Sequence, residues 1–217
     1  MEFSIKPELT EVIIVQWVII ISLAILAILL TKNLKKIPDK KQSTVEVIVD
    51  FINNIVEDTM GPNTRRFVPY IGTLGIFLLF MNLTGLIGIE PPTKDYSVAL
   101  ALAVITFLVI QVYAIKKNGL LKYFKGYTEP VGVLLPINVM ERIMLPVSLS
   151  LRLFGNMMAA TIIMGLIYKG LSKSLLGFPQ LVIPVPLHFY FDVFDGAIQM
   201  TIFVMLTMIN IKTVSEH

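Results

Sequence analysis

Cysteine is absent from the 217 residues. That excludes disulfides, thiolate chemistry and cysteine-ligated metals. His188 and His217 are the two histidines, too few for a histidine-rich metal site. Charged residues make up 15% of the chain, well below the roughly 25% usual in soluble domains. No P-loop occurs, so the chain itself carries no ATP chemistry, and no motif calls for a cofactor. No basic patch with interleaved aromatics points to nucleic acid. No internal repeat suggests a transporter built from inverted halves. A basic start is missing too: Glu2, Glu8 and Glu11 outnumber Lys6 ahead of the first apolar run, the reverse of a secretory signal.

What the chain has is apolar sequence. It is 55% hydrophobic, with a mean hydropathy of +0.79. The expectation is an all-α polytopic membrane protein: one integral membrane domain over 1–217, lodged in the lipid bilayer, with no separate water-soluble domain. A crossing needs about 20 apolar residues. Spans are expected at 12–31, 67–89 and 97–115. A longer segment over 130–168, interrupted by Pro136 and Pro146, is expected to bend before its long helix. A final long helix covers 187–211. The stretch 43–60 differs in kind. Val45, Ile48, Val49, Ile52, Ile55 and Val56 share one helical face, and Glu46, Asp50, Asn53, Asn54, Glu57 and Asp58 the other. It reads as a helix lying at the membrane surface. Ser43 with Glu46 is expected to cap it, and Gly61-Pro62 to end it.

Basic residues set the expected orientation. Lys32, Lys35, Lys36, Lys40, Lys41, Arg65, Arg66, Lys116, Lys117, Lys122, Lys125 and Lys212 fall on one side. The other side holds only Lys6, Lys94, Lys169 and Lys173. The positive-inside rule makes the first side cytoplasmic, with the N-terminus outside and the C-terminus inside.

Against this background Arg152 stands out. It lies within apolar sequence running from Pro146 to Tyr168. Arginine stays charged in proteins, and placing one at a membrane-helix centre costs about 2.5–3.5 kcal/mol on insertion scales. Asn156 follows four residues later and shares its face. Glu141, eleven residues before Arg152, joins that face if the helix continues through Pro146. On the final helix His188, Asp192, Asp195 and Gln199 recur at helical spacing as one stripe, which Asn210 continues. One reading is a structural salt bridge between Arg152 and Asp192 or Asp195. The other is an ion pathway, favoured because a structural pair needs only two groups and the stripe has four. His188, at a helix start, reads more readily as interfacial or solvated than as a metal ligand. Asn82 and Thr84 suit helix–helix hydrogen bonds, and the methionines suit core filling. Glu141 beside Arg142 fits a local ion pair or a channel mouth equally.

The segment Pro146-Val147-Ser148-Leu149-Ser150-Leu151-Arg152-Leu153-Phe154-Gly155-Asn156-Met157 resembles the signature of subunit a of the F-type ATP synthase, the membrane stator of a rotary motor. Ile198 to Thr207, with Gln199, is similar to that family's final helix. Met81 to Ile87, Pro91 to Asp95 and Pro136 to Glu141 also match. The resemblance runs from Phe67 onward; the N-terminal third fits by topology.

The resemblance implies a ring of c subunits as partner, a peripheral-stalk subunit b, and transport of H+ or Na+ through two half-channels that end beside the ring. It implies that Arg152 faces the ring carboxylates and separates the half-channels. Asn156 and Gln199 would neighbour Arg152, Asp192 and Asp195 would line the outer half-channel, and Glu141 would lie toward the cytoplasmic one. The best-known members carry a glutamate nine residues after the arginine and a histidine seven before the glutamine. Here those positions are Thr161 and Asp192, which moves the acid to the last helix. The last two helices would be tilted along the ring, in a bacterial-type plasma membrane. The rival readings are a secondary transporter holding an anionic substrate on Arg152 and a structural anchor.

Overall fold

A computed structural model of the chain describes residues 7–32, 34–36, 38–62, 64–120, 123, 135–172 and 183–216. Among these, every regular element is helical. In order they are α1 (Pro7–Thr31), α2 (Lys40–Met60), α3 (Val68–Leu83), α4 (Tyr96–Asn118), α5 (Leu135–Ser172), α6 (Pro184–His188) and α7 (Gly196–Glu216). A π-helical stretch, Phe189–Asp195, joins α6 to α7, and short 3₁₀ turns cover Thr84–Ile87 and Pro92–Lys94 between α3 and α4. Five segments are long and apolar enough to cross a membrane: Glu11–Thr31, Arg65–Ile87, Tyr96–Asn118, Leu135–Leu171 and Pro184–Val214. The chain is an all-α, multi-pass membrane protein.

Two apolar clusters hold the helices together. One gathers Val56 and Met60 of α2, Ile71 of α3, Ile110 and Ala114 of α4, and Val204, Met208, Ile211 and Val214 of α7. The other joins Ile19 of α1, Leu74, Leu78 and Met81 of α3, Ala99 and Ala103 of α4, Leu149 and Leu153 of α5, and Phe203 of α7. Ala99 and Ala103 are fully buried. Small residues at such a contact let helix backbones approach closely, which compensates for the absence of a water-driven hydrophobic force in lipid. Helix α1 is peripheral: Ile13, Trp17, Val18, Ile21 and Ile28 are exposed, the surface that lipid covers.

Three local expectations are corrected. Helix α2 starts at Lys40 with Asp39 as its N-cap, and the cap makes no side-chain hydrogen bond to the helix. Ser43 therefore lies inside the first turn, its N–H donating to the Asp39 carbonyl at 2.9 Å, so the Ser43–Glu46 capping box does not form. Gly61 does end α2, with φ at +93°, a conformation that glycine adopts without a Cβ clash. Pro146 does not end the helix either: α5 runs from Leu135 to Ser172 with Pro146 inside it. Proline removes one backbone donor, but packing re-satisfies such losses in membrane helices. Finally, the stretch 189–195 departs from α-helical geometry, which alters how the acidic stripe is displayed.

Candidate functional site

Helix α5 divides into two faces. Leu149, Leu153, Met157, Ala160 and Met164 point into the bundle and are buried. Leu151, Arg152, Gly155, Ala159, Ile162, Ile163 and Leu166 lie on the opposite, exposed side. Arg152 therefore leaves the bundle rather than entering it, while Leu153 beside it is 2% exposed. Asn156 sits at the edge of this face, half-buried, and Glu141 is exposed three turns earlier on the same continuous helix. Among the described residues no carboxylate forms an ion pair with Arg152. The structural Arg152–Asp192 or Arg152–Asp195 bridge is not formed.

The acids find other partners. Asp192 is 8% exposed, and its Oδ2 lies 2.7 Å from His188 Nδ1. The second ring nitrogen, Nε2, lies 3.0 Å from the Tyr168 hydroxyl on α5. With Asp192 ionised the tautomer follows from valence. A carboxylate only accepts, so Nδ1 carries the proton and donates it; Nε2 is then the acceptor of the Tyr168 O–H. His188 is thus an engaged residue bridging two helices, not merely a solvated one, although its side chain keeps 30% of its surface exposed.

Behind Asp192 the space is closed by the turn after α3. A Cβ added at Gly85 would come within 2.5 Å of Asp192 Oδ1 and 2.8 Å of Oδ2. The carboxylate occupies the space a side chain at Gly85 would need, so any Cβ there would force it to shift. Asn82 fixes the same region from inside. It is fully buried. Its Nδ2 donates to the Gly196 carbonyl at 3.1 Å, and its Oδ1 accepts from the Thr93 hydroxyl at 3.0 Å. One amide thus ties α3, the loop before α4 and the start of α7 together, just past the π-helical stretch. Asn82 makes the helix–helix hydrogen bond expected of it, while Thr84 bonds back to the Met81 carbonyl of its own chain turn.

The stripe read from spacing is therefore two pairs. Asp192 belongs with His188; Asp195, half-buried, accepts a hydrogen bond from Gln199, which is 5% exposed. Asn210 is occupied by its own helix, donating to the Leu206 carbonyl at 2.7 Å. Thr161 likewise donates to the Met157 carbonyl at 2.9 Å. Among the described residues no three histidine, aspartate or glutamate side chains converge to hold a metal. Tyr168 and Gly85 escaped the sequence reading as site residues. Tyr168 carries a signal only in hindsight, as the one phenol at the end of the arginine helix; Gly85 sits in the Asn82-Leu83-Thr84-Gly85 run that drew attention for its polar members.

Fold and site together define a class: a multi-pass helical membrane protein with a paired, partly accessible ionisable cluster and an arginine on an outward face of a membrane-spanning helix. The family described as ATP synthase A chain matches residues 12–212. ATP synthase subunit a, sodium ion specific, of Propionigenium modestum is 33% identical over 94% of this chain and 73% of its own length. ATP synthase subunit a of Moorella thermoacetica is 36% identical over 88% of this chain and 84% of its own. That of Geotalea daltonii is 39% identical, over 90% and 83%. The chain belongs to the ATP synthase A chain family, the ion-translocating stator subunits of F-type ATP synthase.

Proposed function

We propose that this chain guides H+ or Na+ through two half-channels against a ring of c subunits, and that Arg152 couples that flow to rotation. The observation that carries the proposal is the outward Arg152, without an ion-pair partner among the described residues, on the face with Gly155 and Ala159. A cation left in an apolar face needs a partner, and the small residues beside it allow another helix to approach closely. A ring carboxylate arriving there is favoured in its ionised form, because an opposite charge stabilises ionisation. It gives up its ion to the half-channel on the far side. The fixed guanidinium repels free cations, so ions cross only by riding the ring.

Asn156 and Gln199 neighbour this contact, Asp192, Asp195 and His188 serve the outer half-channel, and Glu141 serves the cytoplasmic one. The orientation follows the basic residues: N-terminus outside, C-terminus in the cytoplasm of a bacterial-type cell. Helix α2 then lies on the cytoplasmic side, where its exposed Val47, Ile48 and Phe51 offer apolar surface to the bilayer or to subunit b of the peripheral stalk.

The test is ATP-driven ion pumping by the assembled complex in proteoliposomes, wild type against Arg152→Ala. Loss of pumping with the complex intact and still hydrolysing ATP is the expected result. Pumping at the wild-type rate would make Arg152 structural and the coupling mechanism wrong.

A further inference from the structure

We infer that the basic ends of α3 and α4 bind an anionic phospholipid, with Arg66, Tyr113 and Lys116 on its phosphate and the exposed flank of α4 along an acyl chain. The inference depends on the chain crossing a bilayer and not on how ions move through it.

Two adjacent arginines are treated differently. Arg65 donates through Nε to the Glu57 carboxylate of α2, so its charge is answered within the chain. Arg66 is exposed, and among the described residues no carboxylate pairs with it. Its guanidinium is nonetheless held in place. It lies 4.7 Å from the Tyr113 ring centroid and 5.5 Å from that of Phe67. These two rings meet edge to face, and Arg66 Nη2 donates to the Tyr113 hydroxyl at 2.7 Å. A guanidinium has several N–H donors in a fixed fork that matches a phosphate. Tyr113 occupies one of them and fixes the plane of the rest.

Helix α4 supplies the remainder of the site. Lys116 is exposed and lies one turn beyond Tyr113, so their side chains are neighbours on the helix surface. Lys116 and Lys117 stand in the last turn of α4, and no acid occurs from Tyr96 to Asn118. Ile105, Leu108 and Val112 are exposed and recur with Lys116 at helical spacing, an apolar stripe with a cation at its end. From Ile105 to Lys116 the helix rises about 16 Å, close to the roughly 15 Å of hydrocarbon in one leaflet. An acyl chain laid on the stripe brings its own phosphate to Lys116 and Arg66. That match in length selects a lipid over free phosphate. The cations select an anionic headgroup over a zwitterionic one, whose ammonium group would meet like charge.

The experiment uses the assembled complex in phosphatidylcholine proteoliposomes. A minor fraction of phosphatidylglycerol carries a photoactivatable group on an acyl chain; a parallel set carries the same label on phosphatidylcholine. The label recovered on α4 is compared between wild type and variants. Phosphatidylglycerol should label the 105–112 stretch in clear preference to phosphatidylcholine. Arg66→Gln and Lys116→Gln should each lower that preference, by up to about fivefold per cation removed, and the double variant should abolish it. Arg66→Lys keeps the charge without the fork and should fall between. Phosphatidylcholine labelling should be the same in all of them, and excess inorganic phosphate should leave the preference unchanged. Equal labelling by the two lipids in the wild type would overturn the site. So would a preference that survives in the double variant, or an α4 that neither lipid labels because another subunit covers it. Competition by inorganic phosphate would overturn it too, by making a soluble anion the ligand. Should Arg66→Gln fail to assemble, Lys116→Gln, at an exposed helix end, decides alone.

Discussion

The two polar regions of this chain are built on opposite terms. Around His188 and Gly196 the polar groups have partners within the chain: His188 for Asp192, Gln199 for Asp195, Thr93 and Gly196 for Asn82. On the exposed face of α5, Arg152 has no ion-pair partner among the described residues. Unpaired polar groups in a low-dielectric setting are costly. The first region meets that cost internally and is therefore a finished site. The second leaves it unmet among the described residues, and on the proposed reading it is half of a site whose complement lies on another molecule. On the proposed reading, self-sufficiency marks the part that conducts and incompleteness the part that couples.

That contrast can be erased by giving Arg152 an internal partner. Asn156→Asp places a carboxylate one helical turn away. A pairing of about 1.4 kcal/mol would reduce the free cation about tenfold, and proton pumping should fall to match, with Asn156→Gln near wild type. Wild-type pumping by Asn156→Asp would show that Arg152 does not act through an open charge. From the other side, Gly85→Val should disturb the finished site. Its Cβ falls on the Asp192 carboxylate, and overpacking of this kind costs about 1–3 kcal/mol; outer-path flux should drop together with thermal stability in detergent. Asn82→Ala leaves the Thr93 hydroxyl and the Gly196 carbonyl without their partner. Polar contacts between membrane helices are worth about 0.6–1.7 kcal/mol, so a modest loss in melting temperature is expected; no loss would mean that the buried amide does not hold the helices. The smallest effect belongs to Glu57→Gln, which breaks an exposed pair with Arg65. Such pairs contribute little, and neither melting nor pumping should change.

The sequence makes the helices legible because hydropathy and length alone decide what can cross a bilayer. Arg152 is legible for the related reason that a charge in a long apolar run has no bland explanation by composition. The acidic residues are less so. Spacing places His188, Asp192, Asp195 and Gln199 on one face only if the helix keeps its 3.6-residue turn, and the π-helical stretch Phe189–Asp195 breaks that premise. Such π segments occur frequently at functional sites, and the Asn82 bond to the Gly196 carbonyl just past this one is a tertiary contact that no local pattern reveals. Tyr168 is hidden for a similar reason: its partner is twenty residues away along the chain. Pro146 misleads in the other direction. Proline is read as a break because water-soluble helices suffer for it, whereas α5 continues through it.

The bare guanidinium of Arg152 also bears on how the protein is made. On the proposed stator reading, a freshly inserted copy carries that charge toward lipid, at about 2.5–3.5 kcal/mol on insertion scales, until a ring of c subunits takes its place alongside. On that reading the unassembled chain would be its own quality-control signal. Surplus copies stay less stable than incorporated ones, and a membrane protease that removes whatever opens most readily would clear orphans and spare the finished motor.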